Sequence, residues 1–190
     1  MRWDQFEHVI RAAGTVLGED TVIVIGSQAL LANLDRAVWE GRERDLTKSI
    51  EVDVLPLDDF DGAKADTIDG DLGELSGFHE MHGIYGDGVG ERTAVLPDGW
   101  RDRLIRYENL NTNGVSALCL EVHDLAVSKL AAGREKDLEF VRNLIKHRII
   151  DPRDLRPRLA VTETSESVRA RISGFIRRET PEAGHEPPEL

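Results

Sequence analysis

Thr21-Val22-Ile23-Val24-Ile25-Gly26-Ser27 runs a β-branched apolar stretch straight into a glycine, and Ile50-Glu51-Val52-Asp53-Val54 alternates apolar with acidic residues. The first reads as a buried strand. Gly26 lets the backbone turn sharply, and Ser27 is placed to cap a helix over residues 28–34, whose first N–H groups then face whatever lies beyond the strand end. In the second stretch successive side chains alternate faces, so Ile50, Val52 and Val54 point one way and Glu51 and Asp53 the other. Two carboxylates on one strand face, beside a turn rich in N–H groups, can hold a divalent cation next to a bound phosphate.

Downstream, Asp124-Leu125-Ala126-Val127-Ser128-Lys129-Leu130-Ala131-Ala132-Gly133-Arg134-Glu135-Lys136-Asp137 adds a lysine and a third carboxylate on consecutive helical segments. Taken together and in this order, the three pieces resemble the nucleotidyltransferase fold of the DNA polymerase β superfamily. The Lys-then-Lys-Asp segment looks like that of the minimal nucleotidyltransferase toxins called AbiEii or MenT and of their uncharacterised relatives. The likeness spans residues 21–146. It implies an α/β (α+β) fold, a small mixed sheet flanked by helices. It divides the chain into a nucleotidyltransferase-like core over 1–120, a helical part over 121–178 that completes the site, and a disordered tail over 179–190.

The resemblance also implies a chemistry: transfer of a nucleotide from an NTP, with Mg²⁺ or Mn²⁺, to an acceptor such as a tRNA 3′ end or a protein. The setting would be a toxin–antitoxin pair with an antitoxin protein as partner. Nucleotidyl transfer needs in-line attack on an α-phosphate, and its catalysis is mostly positioning and charge neutralisation. In those terms Glu51 and Asp53 would clamp the metal. Gly26 and Ser27 would hold the triphosphate, Lys129 would neutralise phosphate charge, and Asp137 would serve as base or as an orienter of the other groups. The sequence departs from the family pattern at one place, with Glu51 where the family has Asp. That departure keeps a second reading open, a weak or inactive member acting as a binding module for a partner protein, and a third, a phosphate-binding regulatory domain. Each piece alone has an ordinary explanation: a solvated strand face for Glu-Val-Asp, a surface lysine, an acid favoured by a helix N-terminus.

Composition sets limits on these readings. The chain has 190 residues, 40% of them hydrophobic and 32% charged, ordinary for a globular domain. A formal net charge of −12 argues against binding nucleic acid through bulk electrostatics, while leaving room for a local basic groove or a basic protein partner. The single cysteine, Cys119, sits in an apolar run and reads as core. One cysteine rules out an intrachain disulfide framework and fits a reducing cytoplasm. Met1-Arg2-Trp3-Asp4 starts no signal-like apolar run, and no stretch approaches membrane-spanning length.

The remaining pattern gives the following expectations. Residues 4–17 form a first helix, capped by Asp4 with Glu7 and ended by Gly18. Residues 35–49 form an exposed, solvated charged loop, from which Arg42 and Arg44 could reach a triphosphate or an RNA backbone. Residues 66–75 give a short helix and 78–82 a strand edge; His79, Glu80 and His82 match no established zinc spacing and lack a fourth ligand. Short strands follow within 85–96, the clearer one over 93–96. Arg101, Arg103 and Arg106 make the densest basic patch, with Arg101 and Arg103 on one face of a strand and a nucleotide or RNA contact in prospect. Asn111-Thr112-Asn113-Gly114 turns a hairpin between 104–108 and 115–120. Helices then cover 124–132 and 134–147, with a break at Gly133, and another covers 165–178.

Overall fold

A computed structural model of the chain describes residues 1–39, 46 and 48–180. Its centre is a five-stranded mixed sheet in the order β3-β2-β1-β5-β4, built from β1 (Thr21–Val24), β2 (Glu51–Leu55), β3 (Tyr85–Gly88), β4 (Ile105–Tyr107) and β5 (Ser116–Cys119). β1 lies in the middle, antiparallel to β2 and parallel to β5. Its Val22, Ile23 and Val24 are shut off from solvent, as a strand with near-continuous β-branched residues should be.

One face of the β3-β2-β1 half is covered by α1 (Trp3–Leu17) and α4 (Ala63–Leu72). Phe6, Val9, Ile10 and Ala13 of α1 and Ile68 of α4 are fully buried, and Val52 and Val54 of β2 enter the same core. β3 shows how closely α4 sits: a Cβ at Gly86 would touch Val9 and Leu72 side chains, and one at Gly88 would meet the Ala65 carbonyl oxygen at 2.1 Å. The two glycines are therefore there to admit a helix, and Tyr85 and Asp87, between and beside them, point to the other face. That other face is where Glu51 and Asp53 also point.

The C-terminal third packs as helices: α6 (Val122–Ala132), α7 (Glu135–Lys146), α8 (Leu155–Ala160) and α9 (Glu166–Glu179). α6 is the hub, touching α7, α8 and α9, with Leu125, Ala126, Val127 and Leu130 buried. The break at Gly133 is a left-handed turn with φ 68°, which turns the chain directly into α7. Cys119 is fully buried in β5, and burial pushes its thiol pKa up, so it is a core residue.

Several local expectations are corrected. Ser27 does not cap a helix: the chain makes a 3₁₀ turn over Ser27–Ala29 with Gly26 at the cap position and no side-chain cap bond, followed by one turn of helix, α2 (Leu30–Asn33). Asp4 is not the cap of α1 either. Arg2 is, with its N–H bonded to Gln5, and Glu7 is wholly buried elsewhere. Residues 36–39 form a short helix, α3 (Arg36–Trp39). Arg42 and Arg44 lie outside the described residues, as does the tail from 181 on. Gly77–His82 is a helix, α5, and not a strand edge, because Ser76 caps it through the His79 N–H and Gly83 closes it at φ 66°. Residues 93–96 form no strand; Glu91–Thr93 is a 3₁₀ turn.

The basic patch is not on one strand face and is not free. Trp100–Arg103 is a 3₁₀ turn. Arg103 makes a two-pronged bond to the buried Asp124 at 2.8 and 3.1 Å, Arg101 pairs with Glu91, and Arg106 pairs with Glu108 at 2.7 Å. These arginines tie the chain to itself.

Candidate active site

Glu51 and Asp53 face a cleft of about 810 Å³ between the sheet and the α6–α7 corner, within the size range of small-ligand pockets. The end of β1 supplies its floor. Ile25 N–H bonds the Asp53 carbonyl at 3.2 Å, which brings Gly26 against the Asp53 side chain. A Cβ at position 26 would lie 1.5 Å from Asp53 Oδ2. The backbone of Gly26 is extended, with φ −84° and ψ −172°, so any residue could adopt it. Glycine is required there by the carboxylate and not by the turn.

Register adds a group that sequence reasoning did not single out. β2 and β3 pair in parallel with Glu51 opposite Tyr85 and Asp53 opposite Asp87. Asp87 therefore stands beside Asp53 on the cleft face and lines the same cavity. Tyr85 donates its hydroxyl hydrogen to Glu51 Oε2 at 2.8 Å, which holds the longer glutamate arm toward β3. The signal for both was present, since Tyr85-Gly86-Asp87 alternates as Glu51-Val52-Asp53 does, but strand order and register are not written in either segment.

The α6–α7 corner brings the cations. Lys129, on α6, and Arg134, at the cap of α7, both lie close enough to Asp53 for their charge to act on it. Asp137 is nearly shut off from solvent. Arg134 grips it with two bonds, 2.6 and 3.2 Å, and Lys129 Nζ stands 3.8 Å from it. All three line the cleft. Both carboxylate oxygens of Asp137 are thus engaged in holding Arg134 and Lys129 in place. Lys48, before β2, bridges to Glu139 of α7 at 3.4 Å, and Ser27 and Ser49 complete the polar lining.

Electrostatics follow from this geometry. Burial pushes the Asp53 carboxyl pKa up; the Lys129 charge opposes that rise and the Glu51 charge adds to it. Asp87 is also pushed up, by burial first and then by Asp69, Asp53, Glu51 and Glu74. Partial burial and neighbouring like charges disfavour the charged form of a carboxylate, and a nearby cation offsets that. Glu51, Asp53 and Asp87 are hard oxygen donors, the chemistry of a Mg²⁺ or Mn²⁺ site. Among the described residues, however, no three His, Cys, Asp or Glu side chains converge into a ready ligand set. The donors fit a divalent cation in kind and in charge, with Asp53 at their centre. His79 and His82 take no part: His79 accepts a bond from Leu75 N–H at 3.0 Å, and His82 packs edge-on to His8 with ring centroids 4.3 Å apart.

A mixed sheet with flanking helices, a Gly-Ser turn at one strand end and acidic side chains on the neighbouring strand defines a nucleotidyltransferase-like α/β domain. A family model described as "Nucleotidyltransferase of unknown function (DUF6036)" matches residues 4–173, and the chain belongs to that family. Neither the curated proteins nor the solved structures gave a match. Among the described residues no helix is long and apolar enough to cross a membrane.

Proposed function

We propose that the cleft binds an NTP with a divalent cation and transfers its nucleotidyl group to an acceptor hydroxyl. The observation that carries this reading is Asp53. It is half-buried against Gly26, flanked by Glu51 and Asp87 on one sheet face, and faced by Lys129 and Arg134. Bound Mg²⁺ or Mn²⁺ would supply charge neutralisation on the phosphates; Asp53 would hold it, and Asp87 or Glu51 would have to shift toward it to share it. The protein's own part is positioning. Lys129 and Arg134 draw the triphosphate against the sheet, and Asp137 fixes both cations so that they need no reorganisation when charge shifts to the leaving pyrophosphate. The Ser27 hydroxyl and the N–H groups of its turn would line the phosphates. α2 is too short for a helix dipole to matter, so the anion field comes from the two cations.

The acceptor follows from the resemblance: a tRNA 3′ end or a protein, with the chain as the toxin of a pair. An acidic molecule can serve RNA only through a local path, and among the described residues Lys48, Arg134 and Lys136 are cations at the cleft that could form one. The binding-module alternative is favoured by one observation, the Tyr85 bond to Glu51 Oε2 at 2.8 Å, which occupies an oxygen that a metal clamp would use.

One experiment separates the two. Each α-labelled NTP is incubated with Mg²⁺ and total RNA or protein, using wild type, Asp53→Ala, Lys129→Ala, Tyr85→Phe and Glu51→Asp. Label in an acceptor that is lost in Asp53→Ala and Lys129→Ala, at unchanged melting temperature, supports transfer. NTP binding without label in any acceptor, restored by Tyr85→Phe or Glu51→Asp, supports a binding module. Equal metal–nucleotide affinity for wild type and Asp53→Ala sinks the metal assignment.

A further inference from the structure

The cleft does not end at the phosphate-binding corner. α7 lines it from Arg134 and Lys136 through Asp137 and Glu139 to Phe140 and Asn143. Lys136, Glu139, Phe140 and Asn143 follow the i, i+3, i+4, i+7 spacing of a single helix face, so the face that starts at Lys136 continues along the cavity wall. Its chemistry changes on the way. The first turn is charged; the next two present an aromatic ring and then a carboxamide. Phe140 lies about 4.5 Å and Asn143 about 9 Å beyond Asp137 along the helix axis, from the rise of 1.5 Å per residue. Distances of this order separate the phosphates of a nucleotide from its sugar and base.

Both side chains suit the task. Phe140 is half-buried and packed against the core, so its ring is held rather than mobile, while part of it stays open to the cavity. Asn143 is half-buried, and its carboxamide makes no hydrogen bond to another described residue. A carboxamide offers a donor and an acceptor side by side, the pattern that complements a base edge. Leu46 and Val95 add apolar lining to the same cavity.

We propose that this end of the cleft is a nucleobase subsite, in which the base stacks on the Phe140 ring and Asn143 reads a base edge. The inference rests on the nucleotide reading above. It adds that the ligand is recognised as a nucleoside and not only as a polyphosphate, which sets it apart from a phosphate-binding regulatory domain. Aromatic stacking tolerates any base, so Phe140 contributes affinity and Asn143 contributes choice.

The test is calorimetric binding, with Mg²⁺, of each of the four NTPs and of inorganic tripolyphosphate to wild type, Phe140→Ala, Phe140→Leu and Asn143→Ala. Melting curves are recorded beside each titration. The expected result is that wild type binds at least one NTP more tightly than tripolyphosphate. Phe140→Ala then loses roughly tenfold or more in NTP affinity, Phe140→Leu loses less, and tripolyphosphate binding stays within about twofold. Asn143→Ala levels the differences among the four NTPs. If wild type binds NTPs and the Phe140 and Asn143 variants bind each as wild type does, the base subsite is wrong and the nucleotide reading stands. If the Phe140 variants lose tripolyphosphate and NTP affinity alike, the ring is a packing residue and the subsite is again wrong. If folded wild type binds neither NTP nor tripolyphosphate, both readings fall together.

Discussion

At the scale of the residue, Gly26 separates function from fold more cleanly than any carboxylate does. A Cβ at position 26 would lie 1.5 Å from Asp53 Oδ2, 2.5 Å from its Cγ and 3.0 Å from its Cβ, so the whole carboxyl group must rotate away to make room. The extended backbone at 26 accepts alanine without strain. Gly26→Ala should therefore leave the melting temperature close to that of wild type while driving the Asp53 carboxylate off its position. A displacement of about 1 Å at a reacting centre can cost on the order of a hundredfold in rate, so transfer should fall by that order and metal-dependent NTP binding should weaken. A variant that melts many degrees lower would show that position 26 is tight for structural reasons. A folded variant of unchanged affinity would show that Asp53 does not hold the metal. The sequence showed Gly26 and Asp53 as separate signals, a turn former and a strand acid. Their contact depends on how β1 and β2 pair, and that is a property of the sheet.

Elements tell the same story at larger scale. β1, β2, the β4–β5 pairing and the break between α6 and α7 were all legible, because each is a local pattern: a β-branched run, an alternation, a turn signal, a glycine after a helical stripe. β3 was only half legible. Glycines in a strand carry no packing pattern to read, yet Gly88 is selected by the Ala65 carbonyl 2.1 Å from where its Cβ would be, a contact made by α4. α5 was misread because Phe78 and His82 looked like strand residues, while Ser76 and Gly83 were its caps. The arginines at 101, 103 and 106 promised a binding face, but their partners Glu91, Asp124 and Glu108 come from other elements or from the end of the same strand. The parallel pairing of β2 with β3 has a direct consequence. If Asp87 opposite Asp53 is a metal ligand, Asp87→Asn should weaken Mg²⁺-dependent NTP binding by tenfold or more. It also removes one of several crowded like charges, so the metal-free protein should melt at the same temperature as wild type or slightly higher at neutral pH. A variant that melts lower with NTP affinity unchanged would make Asp87 a structural residue of the β3 edge.

Over the whole molecule, one buried carboxylate joins parts that are far apart in the chain, and it lies away from the cleft. Glu7 of α1 is fully inaccessible. Its Oε1 accepts from Tyr107 Oη at 2.6 Å, Asn109 Nδ2 at 2.7 Å and Arg36 Nη1 at 3.1 Å, and its Oε2 accepts from Asn111 Nδ2 at 2.7 Å. α1, α3 and the end of β4 with the loop after it are thus fastened to one side chain. Burial raises its pKa, but the bonds from Tyr107, Asn111 and Asn109 and the charge of Arg36 outweigh that and leave it below the usual 4.5. For an acid whose folded pKa is depressed, the unfolded chain takes up protons first as pH falls. The stabilisation is therefore complete above the unfolded value of 4.5 and is lost as pH drops through the lower folded value. Glu7→Gln keeps the shape but turns an –NH₂ toward groups that donate, leaving at least one buried donor without an acceptor. That costs about 1–3 kcal/mol, and a domain of this size loses roughly 2–4 °C in Tm for each kcal/mol. The expected outcome is a lower Tm for Glu7→Gln at pH 7 and a gap to wild type that narrows as pH falls below 4.5, because the wild type then protonates the same group. Melting curves from pH 7 down to the acid edge of folding read this directly. Near that edge the slope of wild type should be steeper than that of the variant. Parallel slopes with a constant gap would mean that Glu7 stabilises by packing alone, and that its charge contributes nothing to holding these three segments together.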